Sequence, residues 1–315
     1  MPSLSIVIPV YCGARTIGPL VQEVREKLSG HQLELVLVND GSPDDSESVC
    51  EEIAATTPGV VFVSLRRNSS EHNAVMCGLN HATGDYAIII DDDFQNPPSE
   101  IIKLVEEAER GGYDVVYSYY SRKHHSLFRN WGSSLHNWMA TYLLGKPHHL
   151  YLSSFKLIRR EVVQEIIKYR GPFPYVDGLL LRVTGNIGKV LVQHESRRDG
   201  KSTYTLSKLV ALWLNMFLNF SVKPLRVFTF LGAGMLLISV LLSAWFIVEK
   251  ILRPETAIGW TSTMVAILFF SGFQTMMLGL MGEYLGKTYL DISGTPQWVI
   301  KKVVRHSDHT GKSQE

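Results

Sequence analysis

Cysteine is scarce in this chain: Cys12, Cys50 and Cys77 are the only three in 315 residues. Scattered and odd in number, they exclude the paired spacing of a zinc site and a disulfide framework, and they suit a reducing compartment. A charge excess is missing too. Lys and Arg total 31 against 30 Asp and Glu, a formal net charge of +1, so no strong basic field directs the chain to nucleic acid. The opening "MPSLSIVIPVY" has no basic n-region, which argues against a cleavable signal peptide. Long apolar runs are absent from residues 1–200, which read as a soluble α/β domain.

Such runs do occur later. Val227–Val248 and Thr256–Gly282 contain no charged residue, and about 20 apolar residues suffice to cross a bilayer core. A short connector with Pro254 and Gly259 suits a hairpin of two spans. Lys201, Lys208, Lys223 and Arg226 precede the first span, and Lys287, Lys301, Lys302 and Arg305 follow the second. The positive-inside rule then places the soluble domain and the tail in the cytoplasm. The expected layout is a catalytic domain over 1–200, a juxtamembrane amphipathic helix over 201–224, spans over 225–250 and 256–284, and an interfacial helix with tail over 285–315. Trp298, Lys301 and Lys302 are the expected anchors of that last helix. Neither span carries an ionisable residue typical of a transport path.

Within the soluble part, β-rich runs at 4–11, 33–42, 60–65, 85–93 and 113–120 alternate with helical patterns at 16–28, 44–55, 71–82 and 98–112. Gly111 is the expected cap of the last helix. This βαβ rhythm implies a mostly parallel sheet with helices on both faces. Ligands of such sheets lie beyond the carboxyl ends of the strands. Two acidic segments fall at such ends, "NDGS" around Asp40 and "DDDFQNPP" from Asp91.

Taken alone, "NDGS" is a polar turn capping a helix. Three adjacent acids exceed what a cap needs, and their mutual repulsion calls for a counter-charge. Alternate residues of an extended segment face one way, so Asp91 and Asp93 would share a cation, with Gln95 adding a neutral oxygen. Hard oxygen ligands suit Mg²⁺ or Mn²⁺. A cation held by so few protein groups leaves positions for phosphate oxygens, which points to a diphosphate substrate.

The segments "SIVIPVY", "VNDGS", "HATGDYAIIIDDDFQNPP" and "RRDGKSTYTLSKL", followed by two spans, resemble the inverting family 2 glycosyltransferases of GT-A fold, in their polyprenyl-phosphate branch. The resemblance implies transfer from a nucleotide diphosphate sugar, UDP-linked, to a polyprenyl phosphate, undecaprenyl phosphate in a bacterium. It implies an inner-membrane, multi-pass protein and a homo-oligomer. Pro9, Tyr11, Asp40 and Arg67 would hold the nucleotide, and Asp91 would lie near ribose and diphosphate. Asp93 and Gln95 would bind the metal. Arg129, Ser133, Arg197 and Ser202 would meet the acceptor phosphate.

Three departures from the family pattern stand out. Cys12 and Gly13 replace a common Asn-Glu, Leu150 falls where relatives carry an Asp proposed as a base, and Lys201 and Thr203 replace residues often seen as Glu and Lys. A phosphate monoester, with a second pKa near ~6, is largely ionised at neutral pH and attacks without a base. Losing an acid at Leu150 therefore fits a phosphate acceptor better than a hydroxyl. Asp177 is the reserve carboxylate, and His148 and His149 are candidates to face the donor sugar. Two other functions share parts of this pattern. A processive polysaccharide synthase would carry a Gln-x-x-Arg-Trp motif, which is absent; a membrane-anchored nucleotide-sugar sensor would tolerate loss of Asp93.

Overall fold

The computed structural model describes residues 1–120, 150–195, 223–252 and 259–306. Two compact units form, one of 1–205 with 294–315 and one of 206–293.

The first unit is built on an eight-stranded sheet in the order β7-β5-β6-β4-β1-β2-β3-β8. Its strands are β1 (Leu4–Val10), β2 (Leu33–Asn39), β3 (Val60–Leu65), β4 (Tyr86–Ile89), β5 (Val115–Tyr120), β6 (Lys156–Arg159), β7 (Ile187–Val192) and β8 (Ile300–Arg305). β1 pairs in parallel with β2 and β4, and β2 with β3. β6 runs antiparallel between β4 and β5, and β8 antiparallel along β3.

β3, "VVFVSL", is buried at every position. Helices cover both faces of the sheet, so its central strands are apolar throughout rather than alternating. On one face Ile6, Ile8, Leu35, Leu37 and Phe62 pack with α1 (Ile17–Lys27), α2 (Ser46–Thr56) and α4 (Ile101–Gly111). On the other, Val7, Val36, Val38 and Val63 pack with α3 (Glu71–His81), α5 (Arg160–Ile166) and α6 (Val176–Val183). In α4 the buried residues Ile101, Leu104, Val105 and Ala108 follow the i, i+3, i+4, i+7 stripe of an amphipathic helix. Its left-handed cap is Gly112, at φ 62°, and not Gly111 as the sequence suggested. At Gly78 an added Cβ would lie 2.4 Å from a Val7 methyl, so only glycine lets α3 approach β1 this closely.

The expected interfacial helix over 285–315 is corrected here. Residues up to Ile292 belong to one long helix, and Ile300–Arg305 form strand β8. The edge of β3 offers unpaired backbone groups, and the β-branched run "IKKVVR" satisfies them. Lys301 and Lys302, read as membrane anchors, lie 2.9 and 3.1 Å from Glu47 of α2. Gln297 donates to the carbonyls of Tyr169 and Gly171 at 3.0 and 2.7 Å, tying the preceding turn to the same unit.

The second unit contains the helices α7 (Lys223–Leu252) and α8 (Trp260–Ile292). Among the described residues no helix is long and apolar enough to cross a membrane. The juxtamembrane segment 201–222 lies outside the described residues.

Candidate active site

Parallel strands β1 to β4 bring Val10, Asn39, Leu65 and Ile89 to one edge of the sheet. Antiparallel β6 begins at that edge, with Lys156 paired to both Ile89 and Tyr117. The segments after Asn39, Leu65 and Ile89, and the one before Lys156, therefore border one crevice. The two acidic segments share that edge.

On the β2 side, Asp40 is buried and accepts the Ser69 backbone N–H at 2.6 Å. Burial pushes its carboxyl upward, and the Ser69 and Ser70 N–H groups pull it back. Gly41, at φ 61°, packs against the same loop; an added Cβ would stand 2.6 Å from the carbonyl carbon of Arg67 and from the Asn68 nitrogen. Arg67 is exposed on this loop. Pro9 pairs with Val38 in the sheet, and Tyr11 is half exposed beyond the end of β1.

The Cys12–Gly13 departure has a local cause. Cys12 turns the chain at φ 57°, and a Cβ on Gly13 would meet Asp92 Oδ2 at 2.1 Å. Gly13 and Cys12 donate their N–H groups to the Ser46 and Ser42 hydroxyls at 2.9 and 3.1 Å. The Cys12 thiol is raised by burial and by the carboxylates of Asp44 and Asp92. A thiol held protonated in this way is not an activated nucleophile.

Around Asp91–Gln95 the chain is not the extended segment that alternation required. β4 stops at Ile89, and Phe94 is left-handed at φ 61° with its ring buried. Asp93 Oδ1 accepts the Gln95 N–H at 3.0 Å, and the Gln95 carbonyl accepts from Glu195 N at 2.9 Å. Asp91 Oδ2 accepts the Ser154 hydroxyl at 2.7 Å. Among the described residues no group of three or more His, Cys, Asp or Glu side chains stands close enough to enclose a metal. Left-handed non-glycine residues cost about 1–3 kcal/mol each. Cys12, Ser70 and Phe94, the ones with positive φ, all follow strands at this edge.

Several site residues escaped the sequence reading. Glu71 opens α3 directly after β3 and its loop. Its side chain is open to water, yet the surrounding protein still desolvates its carboxyl. This burial pushes its carboxyl up to about 7; Asp91, Asp177 and Asp93 add to the rise and Lys156 opposes it. Next to it His72 is lowered to about 4, chiefly by burial. It stands edge-on to Tyr175, with ring centroids 5.1 Å apart, and is neutral at pH 7.

Lys156 and Asp177 form a buried ion pair, and Tyr117 Oη donates to Asp177 Oδ1 at 2.8 Å. Asp177 is thus engaged as an ion-pair partner rather than standing as a reserve base. Asp177 was read from the sequence as a reserve carboxylate; of the others, only Lys156, a charge inside the apolar run "FKLI", gave a sequence signal. Leu150 is a buried core residue. Arg129, Ser133, His148, His149, Arg197 and Ser202 lie outside the described residues.

The crowding of Glu71 has a checkable sign. An acid whose folded pKa exceeds its unfolded value favours folding least when ionised, so its contribution falls as pH rises from ~4.3 toward 7. In metal-free protein, Glu71→Gln should raise the melting temperature relative to the parent more at pH 8 than at pH 5. An equal effect at both pH values would mean that Glu71 is not crowded.

Comparison with known proteins places the chain in a family. The model of glycosyl transferase family 2 matches residues 5–167, and that of the GtrB C-terminal hairpin matches 223–288. The chain belongs to glycosyl transferase family 2. A relative from Pseudomonas savastanoi pv. phaseolicola, named undecaprenyl-phosphate 4-deoxy-4-formamido-L-arabinose transferase, is 36% identical over 310 residues, covering 96% of this chain and 91% of its own. One of the same name from Yersinia enterocolitica is 34% identical over 318 residues, covering 99% and 96%. Among solved structures, glucosyl-3-phosphoglycerate synthase from Mycobacterium tuberculosis, in complex with Mn²⁺, UDP and phosphoglyceric acid, aligns with TM-score 0.52. It is 20% identical and the match covers 67% of this chain and 74% of that one, a likeness of fold. The family 2 glycosyltransferase fold read from the sequence is the fold found.

Proposed function

We propose that this family 2 protein transfers a sugar, with inversion, from a UDP-sugar to the phosphate of undecaprenyl phosphate. The observation that carries the reading is the joining, in one chain, of an acidic crevice at the sheet's carboxyl edge to the helical hairpin of the polyprenyl-phosphate branch. Relatives named for undecaprenyl-phosphate transfer match almost its full length, which supports the acceptor assignment.

Asp40, with Pro9, Tyr11 and Arg67, would hold the nucleotide. Asp91, Asp93 and Gln95 would hold Mg²⁺ or Mn²⁺, and the site's chemistry fits one. Burial, and after it the charges of Asp91, Asp177 and Asp93, raise the Glu71 carboxyl to about 7, and a cation would relieve the repulsive part of that rise. When bound, such a cation supplies positive charge to the leaving diphosphate. An acceptor phosphate oxygen attacks the anomeric carbon as the bond from that carbon to the diphosphate oxygen breaks, releasing UDP. No base is needed, because the acceptor is already ionised. Arg129, Ser133, Arg197 and Ser202 would bind the acceptor phosphate, since guanidinium and hydroxyl groups suit phosphate oxygens.

In the full sequence Val227–Val248 and Thr256–Gly282 are free of charge. They would make the hairpin a two-span anchor in the inner membrane, with the catalytic domain cytoplasmic and the protein a homo-oligomer.

The test is transfer in detergent with undecaprenyl phosphate, Mn²⁺ or Mg²⁺, and a panel of UDP-, GDP- and dTDP-sugars that includes the formamido-arabinose donor. Lipid mass spectrometry should find one glycosylated lipid, lost on chelation. Nucleoside diphosphate release without a glycolipid would sink the acceptor assignment.

A further inference from the structure

Lys156 is 3% exposed, Asp177 7% and Tyr117 fully buried. A buried ammonium is costly unless it is closely paired. Here it is paired with Asp177, whose Oδ1 also takes the Tyr117 hydroxyl, and its Nζ lies 5.1 Å from the centre of the Tyr117 ring. Three buried side chains from β5, β6 and α6 thus fix one positive charge.

The location of that charge matters more than its pairing. Lys156 is opposite Ile89 in the sheet register, and Asp91 follows two residues after Ile89. Ser154, two residues before Lys156, holds the Asp91 carboxylate. Glu71 responds electrostatically to Asp91, Asp93, Asp177 and Lys156. The Lys156 ammonium is thus paired with Asp177 and, together with Asp91, Asp93 and Asp177, acts on the Glu71 carboxyl.

We propose that Lys156 is a positioning residue of the donor site, its buried ammonium setting how strongly Glu71, Asp91 and Asp93 attract a divalent cation. Asp177 and Tyr117 hold it in place. This rests on the reading of the crevice as a metal-assisted nucleotide-sugar site. A purely structural pair, tying β6 to α6, would also be damaged by substitution, so loss of activity cannot separate the two. The sign of an affinity change can.

Removing the ammonium adds one net negative charge beside the site, and removing the Asp177 charge adds one positive. The experiment measures Mn²⁺ affinity by electron paramagnetic resonance in purified full-length protein, without nucleotide. Lys156→Met should tighten Mn²⁺ by tenfold or more and Asp177→Asn should weaken it by tenfold or more, the least expected of one unit charge acting on a divalent cation within about 20 Å at an effective dielectric of ~20. The double variant restores the local charge balance and should return close to the parent.

If Lys156→Met does not fold, Asp177→Asn against the double variant reads the same sign. Single variants that shift Mn²⁺ affinity in the same direction, or leave it unchanged, overturn the proposal while the parent still binds Mn²⁺ and UDP. A parent that binds neither overturns the reading of the site itself.

Discussion

Asp93→Asn should lower the turnover number for sugar transfer by about 10²–10³-fold, the loss typical when one preorganised electrostatic contact to developing charge is removed. The substitution is nearly isosteric. Asn Oδ1 can still accept the Gln95 N–H that Asp93 Oδ1 accepts at 3.0 Å, so the local turn should survive. Substitutions of this kind away from packing defects change stability by about 0.5 kcal/mol or less. The expected result is an inactive protein with an unchanged circular dichroism spectrum and melting profile. Steady-state kinetics on the glycolipid product, with a Mn²⁺ titration, would measure it. Activity within threefold of the parent would remove Asp93 from the metal site.

A second large effect is expected at Gly41, where the glycine is required twice over. Its φ of 61° is left-handed, which costs an L-residue about 1–2 kcal/mol. An added Cβ would also stand 2.6 Å from two backbone atoms of the Arg67–Asn68 segment. Backbone cannot swing aside as a side-chain tip can, so overpacking adds about 1–3 kcal/mol. That segment leads to Ser69, whose N–H holds Asp40 at 2.6 Å. Gly41→Ala should therefore lose stability and weaken UDP binding by tenfold or more, about 1.4 kcal/mol. Gly112→Ala is the matched control. It has nearly the same φ, 62°, but open space around the new Cβ and no link to the crevice. It should show only the backbone cost and bind UDP like the parent. Equal effects of the two variants on UDP binding, measured by calorimetry, would disconnect the Gly41 turn from the nucleotide.

The Leu150 and Cys12–Gly13 departures look different once their surroundings are known. Leu150 is core, and the reserve acid, Asp177, already serves Lys156 and Tyr117. Neither of these two positions offers an unengaged carboxylate, which suits an acceptor that brings its own ionised oxygen. At Gly13 a side chain would first have to displace the Asp92 carboxylate.

Sequence by itself determined the βαβ order, the parallel core and the position of the acidic edge. Those features depend on local apolar runs and on the rule that strand carboxyl ends carry the site. β3 matched its expected limits of 60–65 because a strand buried on both faces is a continuous apolar run. Asp40 and Asp91 were legible because charge interrupts such runs abruptly. Tertiary structure alone decided the rest. Strand β8 was hidden because its lysines resemble membrane anchors until the free edge of β3 and the acids of α2 are in place. The turn at Phe94 depends on a left-handed residue that no apolar pattern announces. Glu71, Lys156, Tyr117 and Asp177 are separated by as many as 106 positions in the chain, and only long-range pairing of β4, β5 and β6 gathers their charges. Periodicity records which face of an element is buried; it carries no information about which distant charges share that burial.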